Sequence, residues 1–167
     1  LKKMFLIGNI TAAVLAVLPF FGILMYYKNF YHVIFAHATF LLLLILIREL
    51  IKDLENVEGD LIADYKTIPV VFGLQTAKIV VTLLVIGTLI PVYYLTNVFF
   101  VGYMDTYFYI SLLLLLFFVL QLWKIQSKSG FLKLHFLLKF IIVAGVFSIV
   151  LIEPEVLLHG KKLILTP

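Results

Sequence analysis

Cysteine is absent from the 167 residues, and charge is scarce: Asp, Glu, Lys and Arg together make up 13%. The first absence excludes disulfides, thiolate metal centres and cysteine nucleophiles, and leaves the redox compartment undetermined. The second excludes an ordinary water-soluble domain, which carries about 25% charged residues. The apolar runs also lack strand-like alternation. Inside hydrocarbon every backbone polar group must be satisfied by the segment itself or by a closed sheet, so helices are indicated over a barrel. No cleavable signal peptide is visible and no methionine stands at position 1, so the sequence is expected to be a piece of a longer protein.

What is present is apolar: hydrophobic residues are 64% of the chain. They fall into runs at about residues 4–27, 30–51, 76–95, 107–123 and 132–152, each sized for a bilayer core of roughly 30 Å. The fold class is therefore all-α, a polytopic transmembrane helical bundle of about five spans, with residues 1–167 forming one domain. Pro19 is expected to kink the first span. Tyr26, Tyr27, Phe30 and Tyr31 around Lys28 suit a membrane interface, as does Trp123. Glu153, Pro154 and Glu155 end the fifth span. With five spans, one side of the membrane collects Lys2, Lys3, Arg48, Lys52, Lys66, Lys78, Lys124, Lys128, Lys133 and Lys139, and the other only Lys28, Lys161 and Lys162. The positive-inside rule then puts the richer side in the cytoplasm. Cations in short loops do not form the continuous basic face that nucleic acid requires, despite the net charge of +4.

Residues 48–73, RELIKDLENVEGDLIADYKTIPVVFG, hold six of the nine carboxylates: Glu49, Asp53, Glu55, Glu58, Asp60 and Asp64. On a continuous helix Glu49, Asp53, Asn56, Asp60 and Asp64 would share one face roughly 80° wide, with Gly59 as the expected interruption. Like charges gathered on one face need a cation among them, so a divalent metal is indicated. Magnesium takes oxygen ligands and commonly needs only one or two carboxylates plus a substrate's phosphates, which Asp53, Asn56 and Asp60 can supply. Arg48 and Lys52 would neutralise the same phosphates. The competing reading of these charges is a solvated loop kept out of the bilayer.

This run resembles the second aspartate-rich motif of the UbiA-type intramembrane prenyltransferases, YxxxKDxxDxxGD. The EGD and KTIPVVFG that follow are most similar to the geranylgeranylglycerol-phosphate geranylgeranyltransferases, or digeranylgeranylglyceryl phosphate synthases, and LIGN at residues 6–9 adds to the likeness. The resemblance implies a nine-helix fold with two aspartate-rich cytoplasmic loops facing each other across a cavity that holds magnesium and a prenyl diphosphate. It places Lys52, Asp53, Asn56 and Asp60 at the KDxxDxxGD positions and Arg48 at the tyrosine. Lys52, Asp53 and Asp60 are then the expected catalytic residues; Asp53, Asn56 and Asp60 hold the metal; and Arg48, Lys52, Lys66 and Thr67 bind substrate. Asn56 replaces an aspartate and removes one charge. The first motif, NDxxDxxxD, is absent, so the chain corresponds to the second half of the fold and is expected to be inactive without a missing N-terminal half.

The implied reaction is transfer of a polyprenyl group from its diphosphate to a lipid acceptor such as geranylgeranylglycerol phosphate, or to an aromatic acceptor as in quinone biosynthesis. Some of the 16 Phe and 9 Tyr would line the prenyl path, since aromatic faces stabilise an allylic cation. A transporter or channel segment, or a lipid-binding homologue without turnover, is the non-enzymatic alternative. His37 is the single ionisable residue deep in a span and is expected to bond a neighbouring helix. His135, near the cytoplasmic interface, is assigned no role.

Overall fold

The structure, a computed structural model, describes residues 7–27, 32–99 and 104–148. Readings that rest on Lys2, Lys3, Leu6, Lys28, Phe30, Tyr31, Glu153, Pro154, Glu155, Lys161 and Lys162 lie outside these residues. The chain forms α1 (Ile7–Tyr27), α2 (His32–Glu55), α3 (Val57–Ile62), α4 (Ile68–Gly87), α5 (Leu89–Tyr93), a π-helical turn (Tyr94–Val98), α6 (Asp105–Lys124) and α7 (Lys128–Ser148). Among the described residues four helical stretches are long and apolar enough to cross a membrane: His32–Glu55, Ile68–Val98, Asp105–Lys124 and Lys128–Ser148. A shorter apolar helix, Gly8–Pro19, lies within α1, which continues through Pro19. The protein is an integral membrane bundle of helices.

The third span departs most from expectation. Its helical stretch starts at Ile68, before the expected residue 76, because Pro69 sits in the first turn, where its missing N–H costs no hydrogen bond. It runs on to Val98, giving 31 residues. At 1.5 Å per residue this is about 46 Å, longer than the hydrocarbon core, so its ends project beyond the lipid. Gly73 breaks the helix inside this stretch with φ 84° and ψ 165°, a backbone region that is essentially reserved for glycine.

α2 is the central helix, packed against α1, α4 and α7. Its inner face carries Phe40, Leu44, Ile47, Ile51 and Leu54. These meet Phe108, Leu115, Phe118 and Leu122 of α6 and Phe131, Leu134, Leu138 and Ile141 of α7 in one buried cluster. The spacing alternates between three and four residues, the signature of near-parallel helices with a slight left-handed supercoil. Residues on the opposite faces, such as Leu113, Leu116 and Leu120 of α6 and Phe136, Phe140 and Phe147 of α7, are exposed and suit lipid contact. α1 joins through smaller side chains, Ala13 and Val17 against Ala38 and Ile45. Small residues let helices approach closely where lipid removes the hydrophobic drive between them.

Polar contacts help fix the α4, α6 and α7 arrangement, among them a bond from Trp123 Nε1 of α6 to Thr82 Oγ1 of α4 at 3.3 Å. Lys78, counted from the sequence among the cytoplasmic cations, is buried. Its Nζ donates to the Ile125 carbonyl at 2.6 Å and lies 5.8 Å from the centre of the Phe131 ring. Ile125 caps α6, so the ammonium sits where the helix dipole is negative and a carbonyl lacks its own partner. Tyr107 of α6 donates its hydroxyl to the Ile141 carbonyl of α7 at 3.0 Å, and a Cβ on Gly145 would stand 2.5 Å from that hydroxyl oxygen.

His37 bonds its own helix and not a neighbour: Nδ1 lies 2.8 Å from the Val33 carbonyl, and the ring meets Phe108 edge-on at 5.6 Å. Two substitutions check this geometry by thermal unfolding in detergent. Gly145→Ala is expected to displace Tyr107 and lose its hydrogen bond, at a cost of about 1–2 kcal/mol. Gly73→Ala is expected to cost about 1–3 kcal/mol through backbone strain, although the space beside it is open.

Candidate functional site

The last turns of α2 carry Arg48, Glu49, Lys52 and Asp53. Glu49 is buried between two cations: Lys52 Nζ lies 3.0 Å from Oε2, and Arg48 Nη1 lies 3.4 Å from Oε1. The Arg48 and Lys52 side chains keep 31% and 44% exposure, so each still presents donors outward. Asp53 is buried and is held from α1, where Asn9 Nδ2 donates to Asp53 Oδ2 at 2.6 Å. Burial of a carboxylate without such partners would be costly.

The expected single acidic face is not realised. The helix ends at Asn56, three residues before Gly59, with the Asn56 N–H reaching the Asp53 carbonyl at 3.2 Å. Asn56 becomes the N-cap of α3, at φ −117° and ψ 21°, and the Asp60 N–H bonds its carbonyl at 2.9 Å. Glu58 and Asp60 then occupy the first turn of α3, where unpaired N–H groups favour negative charge. The Asn56 side chain lies over Gly59, where a Cβ would stand 3.3 Å from both its amide atoms. α3 closes in a Schellman motif: Asp64 takes φ 53°, its N–H bonds Leu61, and the Tyr65 N–H bonds Asp60. The consequence is a sorting of the acids. Glu49, Asp53 and Asp60 are buried, Glu55 is half-buried, and Glu58 and Asp64 are exposed, as is the amide of Asn56.

Beyond the motif, Lys66 is exposed and Thr67 is buried at the N-cap of α4. The Thr67 carbonyl accepts from the Val71 N–H at 3.0 Å, but its Oγ1 has no hydrogen-bond partner among the described residues.

Among the described residues no three His, Asp or Glu side chains are grouped to hold a metal. By chemistry alone Asp53 and Asp60 offer carboxylate oxygens and Asn56 an amide oxygen, although Asn56 is exposed and both aspartates are buried. That donor set fits magnesium shared with substrate phosphates and does not fit a closed protein cage.

Three residues escaped the reading of the motif. Asn9 was visible only through LIGN. Glu55 and His135 belong to a bridge from α2 to α7: His135 Nδ1 lies 3.1 Å from Glu55 Oε2, and Arg48 Nε donates to His135 Nε2 at 3.3 Å. No local signal marks a pair separated by eighty residues, and only the packing of α7 on α2 reveals it.

The profile of the UbiA prenyltransferase family matches residues 1–143. The chain is 30% identical over 165 residues to the digeranylgeranylglyceryl phosphate synthase of Methanobrevibacter smithii, covering 89% of this chain and 56% of that protein. It is 36% identical over 107 residues to the protein of the same name in Methanosphaera stadtmanae, covering 62% and 39% respectively. The chain thus spans about half the length of these curated relatives. No solved structure matches it. With a family match over most of its length and helices built for lipid, the chain belongs to the UbiA prenyltransferase family.

Proposed function

We propose that this chain forms the second aspartate-rich side of a magnesium-dependent enzyme that moves a geranylgeranyl-like group from its diphosphate to geranylgeranylglycerol phosphate or a similar lipid. The observation that carries the reading is the burial of Glu49, Asp53 and Asp60 in a membrane protein with so few charges. Ionisable groups retained at that cost serve a site by default. The names of the relatives support the lipid acceptor.

In this reading Arg48 and Lys52 direct their remaining N–H donors at the diphosphate, and Glu49 holds both cations on the same side of α2. Magnesium, when bound, supplies positive charge to the leaving group as the allylic C–O bond breaks. Asp53, Asn56 and Asp60 are the residues that would hold it, with Asn9 fixing the Asp53 carboxylate. Thr67 Oγ1 and Lys66 offer donors for a second phosphate, that of the acceptor. In this reading the site faces the cytoplasm, the side to which the positive-inside rule assigns most of the chain's cations.

The test is transfer from labelled geranylgeranyl diphosphate in membranes carrying the chain, alone and together with the N-terminal part of the Methanobrevibacter smithii relative. Geranylgeranylglycerol phosphate and an aromatic acceptor are offered in parallel. Transfer to the lipid acceptor that stops with a chelator and returns with magnesium is expected; transfer that persists in the chelator overturns the reading. Asp53→Asn and Asp60→Asn should each lower kcat/KM by about 10²–10³-fold. Asn56→Asp should lower the magnesium concentration for half-maximal activity by roughly tenfold, because it adds a charged ligand. Since the chain has no cysteine, Lys66→Cys gives a single label site, expected to react with a membrane-impermeant maleimide only from the cytoplasmic side.

A further inference from the structure

Arg48 and Glu55 stand seven residues apart, two turns along one face of α2, and the His135 ring from α7 is wedged between them. An arginine Nε is always a donor, so His135 Nε2 must accept, and the ring proton then sits on Nδ1, facing Glu55 Oε2 at 3.1 Å. The order is Glu55 carboxylate, neutral imidazole, Arg48 guanidinium. Both the His135 and the Glu55 side chains are largely buried, at 13% and 17% exposure.

The identity of the middle group matters. Arg48 already meets one carboxylate, Glu49, and a second in place of the ring would compete further for its N–H donors. A neutral ring held by its Nε2 lone pair instead grips the inner edge, at Nε, and adds no second negative charge. One contact to Glu49 falls on Nη1 at 3.4 Å. The other Nη hydrogens have no protein partner among the described residues, and the side chain is partly exposed. Glu55 acts on the tautomer, as carboxylates do behind ligating histidines.

We infer that His135 is a positioning residue, which, locked in its Nδ1–H tautomer by Glu55, orients Arg48 toward the diphosphate of the prenyl donor. This assignment rests on the reading of Arg48 as a diphosphate contact and adds to it the α7 partner that aims it.

The experiment measures binding of geranylgeranyl thiodiphosphate, which resists ionisation, to the full-length protein in detergent with magnesium, and does not depend on turnover. Replacing both buried partners, as Glu55→Leu with His135→Phe, avoids leaving either one orphaned and so protects folding. This pair is expected to weaken binding by about tenfold while the KM for the lipid acceptor stays at the wild-type value. In the Arg48→Ala background the same pair should have no further effect. His135→Gln, which can accept through Oε1 and donate through Nε2, should bind within about threefold of wild type. Wild-type binding by the paired variant, or an equal loss with and without Arg48, overturns the assignment. If Arg48→Ala alone binds as wild type does, the reading of Arg48 as a diphosphate contact falls, and the role of His135 falls with it.

Discussion

A carboxylate removed from water must take a partner with it, and the end of α2 is built on that requirement. Glu49 is neutralised from its own helix by Lys52 and Arg48, and Asp53 is met from α1 by Asn9. The two solutions differ in consequence. The Glu49 cluster is local, set by residues one turn apart, and would form wherever α2 is helical. The Asp53 contact needs the start of α1 beside the end of α2, so it reports that the antiparallel pair is docked. Burial of charge at this end of the bundle therefore depends on tertiary packing, and the packing in turn depends on small residues such as Ala13 and Ala38 that let α1 approach.

The same economy governs the rest of the bundle. Tyr107 crosses from α6 to α7 only because Gly145 offers no side chain there. Elsewhere the hydroxyls turn inward on their own helices. Thr82, Thr88 and Thr96 each donate to a carbonyl three or four residues back, and Thr82 alone of the three also accepts from another helix, from Trp123 Nε1. Polar links between helices are few, and each one specifies a register.

The spans were legible because length and lack of charge are all that a bilayer demands of a helix, and the motif was legible through its residue order. Which face of each helix points inward was not. In α6 the buried Phe118 and the exposed Phe117 are adjacent and identical, because lipid and protein interior reward the same side chain. The break at Asn56 was hidden for a different reason. Gly59 looked like the weaker point, yet the turn forms at a residue suited to an N-cap, and the glycine serves to admit the Asn56 side chain. Lys78 carries the clearest lesson: read as one more interfacial cation, it is buried, at 4% exposure.

That lysine also ties one corner of the bundle together. Its ammonium clasps the carbonyl that ends α6 and leans on the ring that begins α7, so three helices are pinned at one point just where their connection is shortest. A hinge there would strand a positive charge in a greasy interior. Bending is therefore easier at the start of α4, where Gly73 already breaks the helix, than at the corner that Lys78 ties.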